Sequence, residues 1–174
     1  MLYNKKLIAI AAVSTDGTIG VDNEIPWRIP EDFKHFRNTT INNTLLVGYV
    51  TYLTLPKKAF ENRNYIILNK DQENDLIIEN NGDYKLYFCN DISILEKLTD
   101  INEIYVAGGS SIYQFLIDYC DEAIITWVYK EFPNGNRKFP IEKIFSNFDS
   151  IRETDIQRSI SNISYKIIYY KKYE

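Results

Sequence analysis

An acidic side chain in the first turn of a predicted helix is the best candidate for chemistry. Pro26 and Pro30 bracket Trp27, and a proline such as Pro30 is favoured at the first position of a helix. Asp32 then lies in the first turn, and Phe36, four residues later, shares its helix face. A carboxyl group on an apolar face loses hydration, which raises its pKa and suits it to proton transfer or cation binding. The alternative is that Asp32 only offsets the helix dipole.

Two other polar residues of this helix are predicted to face solvent. Glu31 is adjacent to Asp32 and must point in a different direction. His35 is the only histidine in the chain, and its spacing places it on the exposed side of the helix. A Ser–His–Asp triad is therefore excluded, and no metal site is expected.

Two glycine turns, each between an apolar strand and a helix, are candidate sites for a phosphate group. One contains Gly108 and Gly109 before a helix that starts at Ser110, and the other contains Gly48 with Thr51 in the following helix. Glycine lets the backbone approach a ligand closely, and a helix N-terminus offers N–H groups to an anion. Neither turn is a Gly-x-Gly-x-x-Gly motif, so an ordinary Rossmann fingerprint is absent. A purely structural tight turn is the alternative in both places.

A fourth candidate is Arg63, which precedes the apolar segment Tyr65 to Leu68. An arginine at the mouth of a buried strand can bind a carboxylate through two parallel hydrogen bonds. The alternative is an ordinary surface arginine.

The elements that must position these residues are apolar strands alternating with short helices. The predicted strands are Lys6 to Val13, Thr44 to Val47, Tyr65 to Leu68, Lys85 to Cys89, Ile104 to Val106, Ala123 to Tyr129 and Ser164 to Tyr170. The predicted helices are Pro30 to Asn38, Val50 to Leu55, Ile92 to Leu98 and Ser110 to Tyr119. The tail from Phe145 is predicted to be an antiparallel hairpin without a helix.

This alternation favours an α/β fold. We expect a central mixed, mostly parallel sheet of about eight strands flanked by about four helices. It should form a single domain, residues 1–174. Ligands of open α/β sheets bind beyond the carboxyl ends of the strands, which is where the glycine turns lie.

Composition and charge exclude several classes of function. The net charge is −4 and the pI is about 5.2, whereas binding to nucleic acid needs a basic face. The apolar run near the N-terminus is too short to cross a membrane. Cys89 and Cys120 are predicted to be free, buried thiols in a cytoplasmic protein.

Taken in order, these segments resemble the dihydrofolate reductase family over nearly the whole chain. The shared pattern consists of Ile19-Gly20, Pro26-Trp27-x-x-Pro30-x-Asp32, Gly48-x-x-Thr51-Tyr52, Arg63, Ala107-Gly108-Gly109-x-x-Ile112-Tyr113, Thr126, Gly135 and Phe139-Pro140. The resemblance implies reduction of dihydrofolate to tetrahydrofolate with NADPH, which supports thymidylate, purine and one-carbon metabolism. It also implies a monomer that binds antifolates and has no nucleic-acid or membrane partner.

The resemblance assigns roles around the acid. Asp32 would hold the 2-amino group and N3 of the pterin ring and promote protonation of N5, and Thr126 would orient Asp32. Trp27 would help to hold an ordered water near the pterin carbonyl. Arg63 would bind the α-carboxylate of the substrate's glutamate. The other expected substrate contacts are Ile10, Ala11, Phe36, Phe60, Ala107 and Tyr113.

The resemblance places NADPH along the glycine turns. Gly48, Thr51 and the turn from Gly109 to Ser111 would bind its pyrophosphate, and a cis peptide is implied between Gly108 and Gly109. The other expected cofactor contacts are Ala12, Ile19, Gly20, Tyr49, Val50, Leu68, Asn69, Lys70, Gly108, Ser110 and Ile112.

Several substitutions depart from the family pattern. Tyr49 and Ser111 stand where many members have basic residues that contact the 2′-phosphate of NADPH. Lys70 is the remaining basic residue in this region, so NADPH is preferred and NADH stays open as a cofactor. Asn136 stands where many bacterial members have an aspartate that latches a mobile loop, here Ser14 to Arg28. Weaker closure of this loop is therefore expected.

Two alternatives remain. The pyrimidine reductase of riboflavin synthesis shares the fold and the use of NADPH, but it lacks the acid of the Pro-Trp-x-x-Pro-x-Asp block, so Asp32 argues against it. A structural or binding module with a reductase fold is the second alternative. Tyr49 and Ser111 keep it open, whereas Asp32, Thr126 and Arg63 have no purpose in such a module.

Overall fold

Twelve strands form the framework of the protein. The computed structural model describes residues 1–174. Its strands are β1 (Lys6–Ser14), β2 (Thr18–Gly20), β3 (Thr44–Gly48), β4 (Asn64–Leu68), β5 (Leu76–Asn80), β6 (Lys85–Cys89), β7 (Glu103–Val106), β8 (Glu122–Val128), β9 (Arg137–Lys138), β10 (Phe148–Glu153), β11 (Gln157–Arg158) and β12 (Ser164–Lys172).

Ten of these strands form one mixed sheet. Its order is β10-β12-β8-β1-β7-β3-β4-β6-β5, and β11 pairs with β12 outside this path. The six strands from β8 to β6 in this order are parallel. Antiparallel pairing occurs only towards the two edges. Strands β2 and β9 form a separate antiparallel pair.

Four α-helices connect the strands. They are α1 (Pro30–Thr40), α2 (Tyr49–Thr54), α3 (Ser110–Leu116) and α4 (Ile141–Asn147). Short 3-10 helices span Lys57–Ala59, Ile92–Lys97 and Ile117–Tyr119. None of these helices has the length and apolar character needed to cross a membrane.

The central strands are apolar throughout because both faces of the sheet are covered. In β1, Leu7 and Ala9 belong to a core cluster on one face, while Ile8 and Ile10 belong to the cluster on the other. Helices α3 and α4 contribute to the first cluster, and residues of α1 and α2 pack against the second. The helices that begin at the candidate site residues therefore lie on both faces of the sheet, with α1 and α2 on one face and α3 on the other.

The structure differs from the sequence prediction mainly at the edges of the sheet. The main sheet has ten strands rather than about eight, because the short strands β5 and β11 are almost wholly exposed and carry no burial pattern. The antiparallel hairpin predicted for the tail is present as β10 and β12. The segment predicted as a helix at Ile92 to Leu98 is a 3-10 helix. The prediction of a tail without a helix from Phe145 is wrong at its start, since α4 continues to Asn147 and buries Ile144 completely.

Candidate active site

A cleft of about 1190 Å³ opens at the carboxyl ends of the parallel strands. It is lined by segments that follow or end β1, β3, β4 and β7, by α1 and by Thr126 of β8. The cleft brings together every site residue expected from the sequence except Phe60. Its size and its mixture of apolar walls with a few polar groups are typical of a small-molecule site.

Asp32 lies at the wall of the cleft, in the first turn of α1. Pro30 occupies the start of the helix, and the Asp32 amide donates to the carbonyl of Ile29 at 3.0 Å. The hydroxyl of Thr126 donates to Asp32 Oδ1 at 2.6 Å. Burial raises the pKa of the Asp32 carboxyl above its ordinary value, although the Thr126 hydrogen bond and the nearby His35 act in the opposite direction. The result is a fixed carboxyl group with an increased affinity for a proton.

The backbone of β1 forms the floor beside this acid. Ala12 of β1 is paired with Thr126 of β8, which explains why Thr126 reaches the same wall as Asp32. The buried hydroxyl of Tyr113 donates to the carbonyl of Ile10 at 2.6 Å. Trp27 is only 8% exposed and its ring lies 5.3 Å from that of Phe132. These contacts hold the floor in one conformation.

The two glycine turns meet at the opposite part of the cleft. The peptide between Gly108 and Gly109 is cis. A Cβ atom at Gly109 would lie 3.0 Å from Thr51 Oγ1, and one at Gly48 would lie 3.1 Å from Ile112. Glycine at these positions therefore lets the starts of α2 and α3 approach closely without displacing Thr51 or Ile112. The backbone N–H groups at two adjacent helix starts, together with the Thr51 hydroxyl, fit a pyrophosphate group.

Lys70 is the only basic residue in the three lining segments around these turns, while Arg137 lines the cleft from β9. The lining segments Gly48–Thr51, Leu68–Asp71 and Ala107–Tyr113 contain no other lysine or arginine. Lys70 Nζ lies 5.6 Å from the centre of the Phe115 ring and takes part in no ion pair. Its charge is therefore available to an anionic ligand.

Arg63 is a buried cation with no carboxylate partner. It is 5% exposed and its guanidinium donates to Thr40 Oγ1 at 2.9 Å, to the carbonyl of Glu61 at 2.6 Å and to the carbonyl of Arg37 at 2.7 Å. All three acceptors are neutral, and no ion pair of the protein includes Arg63. Arg37 and Lys58 line the same part of the cleft. This end of the cleft is thus suited to a carboxylate.

Phe60 does not lie where a direct substrate contact was expected. It is 9% exposed and belongs to the core on the α1 and α2 face. Its ring lies 5.0 Å from Tyr65, 5.7 Å from Tyr84 and 5.8 Å from Tyr52. The rings of Tyr65 from β4 and Tyr84 from the segment before β6 bury Phe60. The residues next to Phe60 in the sequence do not show whether it is buried in the core or contacts a ligand.

The predictions for Glu31 and His35 need correction. Glu31 is half-buried, and its Oε2 accepts a hydrogen bond from the amide of Ile160 at 3.2 Å instead of facing solvent. His35 lines the cleft, and its Nε2 is buried without a hydrogen-bond partner. His35 follows Asp32 by three residues, so the face-sharing argument used for Phe36 could have placed it correctly.

The expected mobile loop is held by paired contacts. The Asp22 amide donates to Asn136 Oδ1 at 2.9 Å, and Asn136 Nδ2 donates to Asp22 Oδ1 at 2.7 Å. Strand β2 of the loop pairs with β9, and Lys138 Nζ donates to Thr18 Oγ1 at 2.9 Å. A Cβ atom at Gly135 would collide with the Thr18 side chain. An asparagine at position 136 thus makes two hydrogen bonds to the loop.

The base of the loop contains a strongly acidic carboxyl group. Asp16 accepts hydrogen bonds from Ser14, from the amide of Phe132 at 2.8 Å and from the amide of Thr18 at 3.2 Å. Burial opposes ionisation of Asp16, but these hydrogen bonds together hold its pKa well below the usual range. Asp16 is therefore ionised at neutral pH and anchors the loop to the segment before β9.

Comparisons with known proteins agree with this geometry. The family described as Dihydrofolate reductase matches residues 6–172. A dihydrofolate reductase of Mycoplasma genitalium is 37% identical over 129 residues, which cover 72% of this chain and 78% of that protein. A dihydrofolate reductase of Mycoplasma pneumoniae is 30% identical over 169 residues, which cover 94% of this chain and 96% of that protein. A solved dihydrofolate reductase from Enterococcus faecalis, complexed with NADP(H) and RAB-propyl, shares the fold, with a TM-score of 0.76, 24% identity and 97% coverage of each chain.

Proposed function

The chain belongs to the dihydrofolate reductase family and reduces dihydrofolate to tetrahydrofolate with NADPH, and we propose that the cleft carries out this reaction with Asp32 as its acid. The observation that supports this role most directly is the half-buried carboxyl group of Asp32, fixed by Thr126 at 2.6 Å in the wall of the cleft. Glu24 and Asp71 also line the cleft, but both are exposed. Asp32 is thus the carboxyl group whose surroundings suit proton transfer.

Asp32 has two tasks in this proposal. Reduction of the C6–N5 double bond adds a hydride at C6 and requires a proton at N5. Burial raises the pKa of Asp32, so a larger fraction of this carboxyl group carries a proton near neutral pH than in an exposed aspartate. Thr126 occupies one side of Oδ1, and the remaining lone pairs of the carboxylate can accept the paired N–H groups of a pterin.

The residues around the glycine turns fit NADPH. Gly48, Thr51 and the turn from Gly109 to Ser111 would hold the pyrophosphate, and Ala12 and Ile19 would contact the nicotinamide. The bound cofactor supplies the hydride. The protein's part is to place these groups on one side of β1 and to exclude water with the loop that Asn136 holds.

We propose NADPH as the preferred cofactor and NADH as a weaker substitute. Tyr49 and Ser111 carry no charge, so Lys70 is the one cation that the lining segments of the glycine turns and of the end of β4 offer to a 2′-phosphate. A lysine binds phosphate as a point charge and provides less geometric selectivity than an arginine. Discrimination between the two cofactors should therefore be smaller than in a protein with several basic residues here.

The other end of the cleft would bind the benzoyl-glutamate part of dihydrofolate. The buried charge of Arg63 would pair with the α-carboxylate, and Phe36 would contact the benzoyl ring. As a member of the family, the protein binds antifolates as well as dihydrofolate.

We further propose that residues 1–174 act as one domain and as a monomer in the cytoplasm. Strands β1 and β12, from the first and last parts of the chain, both flank β8, which supports a single domain. Cys89 and Cys120 are buried free thiols, which suits a reducing compartment.

The test is the loss of reduced-nicotinamide absorbance when dihydrofolate is added, with NADPH and NADH in parallel. We expect rapid oxidation that depends on dihydrofolate and is faster with NADPH at low cofactor concentration. Folded protein that oxidises neither cofactor would overturn the proposal and favour a structural module. Oxidation that requires a pyrimidine substrate of riboflavin synthesis would favour the related reductase.

A further inference from the structure

His35 is a titratable group of the cleft that the proposed reaction has not yet used. It follows Asp32 by three residues on α1, so the two side chains lie on the same helix face. Its ring lines the cleft, and its Nε2 is buried with no hydrogen-bond partner. A buried imidazole without a partner is costly to retain for packing alone.

Two charged side chains, those of Asp32 and Arg152, influence His35. The ring packs edge-on against Tyr169 of β12, with centroids 6.5 Å apart and an interplanar angle of 86°. The Arg152 guanidinium, from β10, lies 3.8 Å above the same Tyr169 ring. Asp32 faces His35 from its own helix. Burial lowers the pKa of His35, the Asp32 carboxylate raises it, and the Arg152 charge lowers it.

The groups that face Asp32 complete the network. Thr126 donates to it from β8, Tyr165 approaches from β12 and Tyr113 from α3. Burial raises the pKa of Asp32, and the His35 charge lowers it. Burial thus raises the pKa of the Asp32 carboxyl and lowers that of the His35 imidazole, so the proton affinities of the two groups become more similar. Because the two groups share a helix face and line the same cleft, the charge on one influences the titration of the other.

We propose, on the basis of the reaction assigned above, that His35 is a positioning residue that acts through Asp32, with the charges of the two side chains coupled across their shared helix face. When Asp32 holds a proton, its carboxyl group is neutral and serves the reduction. When His35 holds a proton, the imidazolium stabilises the Asp32 carboxylate, and the acid is lost. Each group exchanges its proton with solvent, and the charge on one group changes the proton affinity of the other. The pair then sets the pH range of turnover.

The first experiment is an NMR titration of His35, which is unambiguous because the chain has no other histidine. It is made on the protein without ligands, so it does not depend on turnover. We expect the pKa of His35 to fall in Asp32→Asn, because the carboxylate that stabilises the imidazolium is removed. An unchanged titration of His35 in Asp32→Asn would overturn the proposal.

The second experiment is the pH profile of kcat in His35→Gln. Removal of the competing cation raises the pKa of Asp32, so the limb on which turnover falls with rising pH should move to higher pH. Because coupling is reciprocal, this displacement and the fall in the pKa of His35 should agree in size. Lys34→Gln, which removes a charge from the exposed side of the same helix, should leave the profile in place.

The outcomes separate this role from simpler ones. A His35→Gln profile that keeps its shape and only decreases in height would show that His35 is structural and would refute its electrostatic coupling to Asp32. His35→Phe tests the same point with a side chain that fills the space. If the wild-type protein did not reduce dihydrofolate, the proposed function itself would be overturned. This assay is made before any variant is prepared, so the two failures are distinguishable.

Discussion

Arg63→Gln removes a buried cation that no carboxylate of the protein neutralises. The guanidinium is held by three neutral acceptors, the Thr40 hydroxyl and the carbonyls of Glu61 and Arg37. These bonds orient the planar group beside the cleft but leave its charge for a ligand. Glutamine keeps a polar side chain and most of the volume, and it eliminates the charge. The variant therefore tests whether this charge binds the substrate's α-carboxylate.

The size of the effect follows from hydrogen bonds to charged groups. Such bonds contribute roughly 1.5–3 kcal/mol each, and each 1.4 kcal/mol is about a factor of ten in Kd. We expect a loss of about 2.8 kcal/mol, or about 100-fold in the Kd of dihydrofolate. The carboxylate is remote from N5 and is bound equally in ground and transition states. The maximal turnover number should therefore change by less than about threefold.

The assay compares dihydrofolate with dihydropteroate, which has the same rings but no glutamate. Equilibrium binding to wild type, Arg63→Gln and Arg63→Lys is measured for both ligands, and thermal unfolding confirms that each variant is folded. Only dihydrofolate should lose affinity in Arg63→Gln, and Arg63→Lys should recover part of it as a point charge. Equal losses for both ligands would refute the reasoning, because the defect would then lie in packing.

Three further predictions concern the acid, the cofactor and the loop. Asp32→Asn should lower kcat at neutral pH by roughly two or more orders of magnitude. Because burial raises the pKa of Asp32, ionisation costs stability as pH rises, so this variant should melt at a higher temperature than wild type at pH 7 but not at about pH 3. Lys70→Ala should raise the KM for NADPH more than that for NADH. Asn136→Asp places a second carboxylate 2.7 Å from that of Asp22, so it should lower kcat/KM several-fold, by roughly 1 kcal/mol of like-charge repulsion.

Each of these predictions has an outcome that would contradict it, and the loop variant also has a matched control. Near-wild-type turnover in Asp32→Asn would remove Asp32 from the mechanism. Equal effects of Lys70→Ala on the two cofactors would contradict contact with a 2′-phosphate. Asp22→Asn combined with Asn136→Asp restores one donor and one acceptor, so the double variant should recover activity. Failure to recover would mean that the Asp22 contact does not control the loop.

The sequence predicts best those parts of the site that depend on short segments. Pro30 fixes the start of α1, and the position of Asp32 follows from it. Glycine is favoured at Gly48 and Gly109 by the close approach of α2 and α3, and glycine in a strand–helix turn is visible in sequence. These features are local, because a helix start or a tight turn is determined by a few neighbouring residues.

The sequence fails where the decisive contacts are distant along the chain. Phe60 is buried by Tyr84, and His35 packs against Tyr169 of the last strand, whose ring is covered by Arg152. Strand β5 is paired with β6 although its residues are mostly exposed. Such strands are held by backbone hydrogen bonds to a neighbour, which leave no hydrophobic pattern to read.

Two charged groups at opposite ends of the cleft also explain how the substrate would be oriented. Arg63 has no carboxylate partner, and Asp32 has no ion pair with a lysine or arginine. The Thr126 hydrogen bond and the His35 charge offset only part of the desolvation cost of Asp32, and the neutral acceptors of Arg63 leave its charge unpaired in the free protein. Dihydrofolate supplies the missing partners in one orientation only, with its paired N–H groups at Asp32 and its carboxylate at Arg63. The reversed molecule would place a carboxylate against Asp32, so the same two charges that stabilise the productive complex exclude the unproductive one.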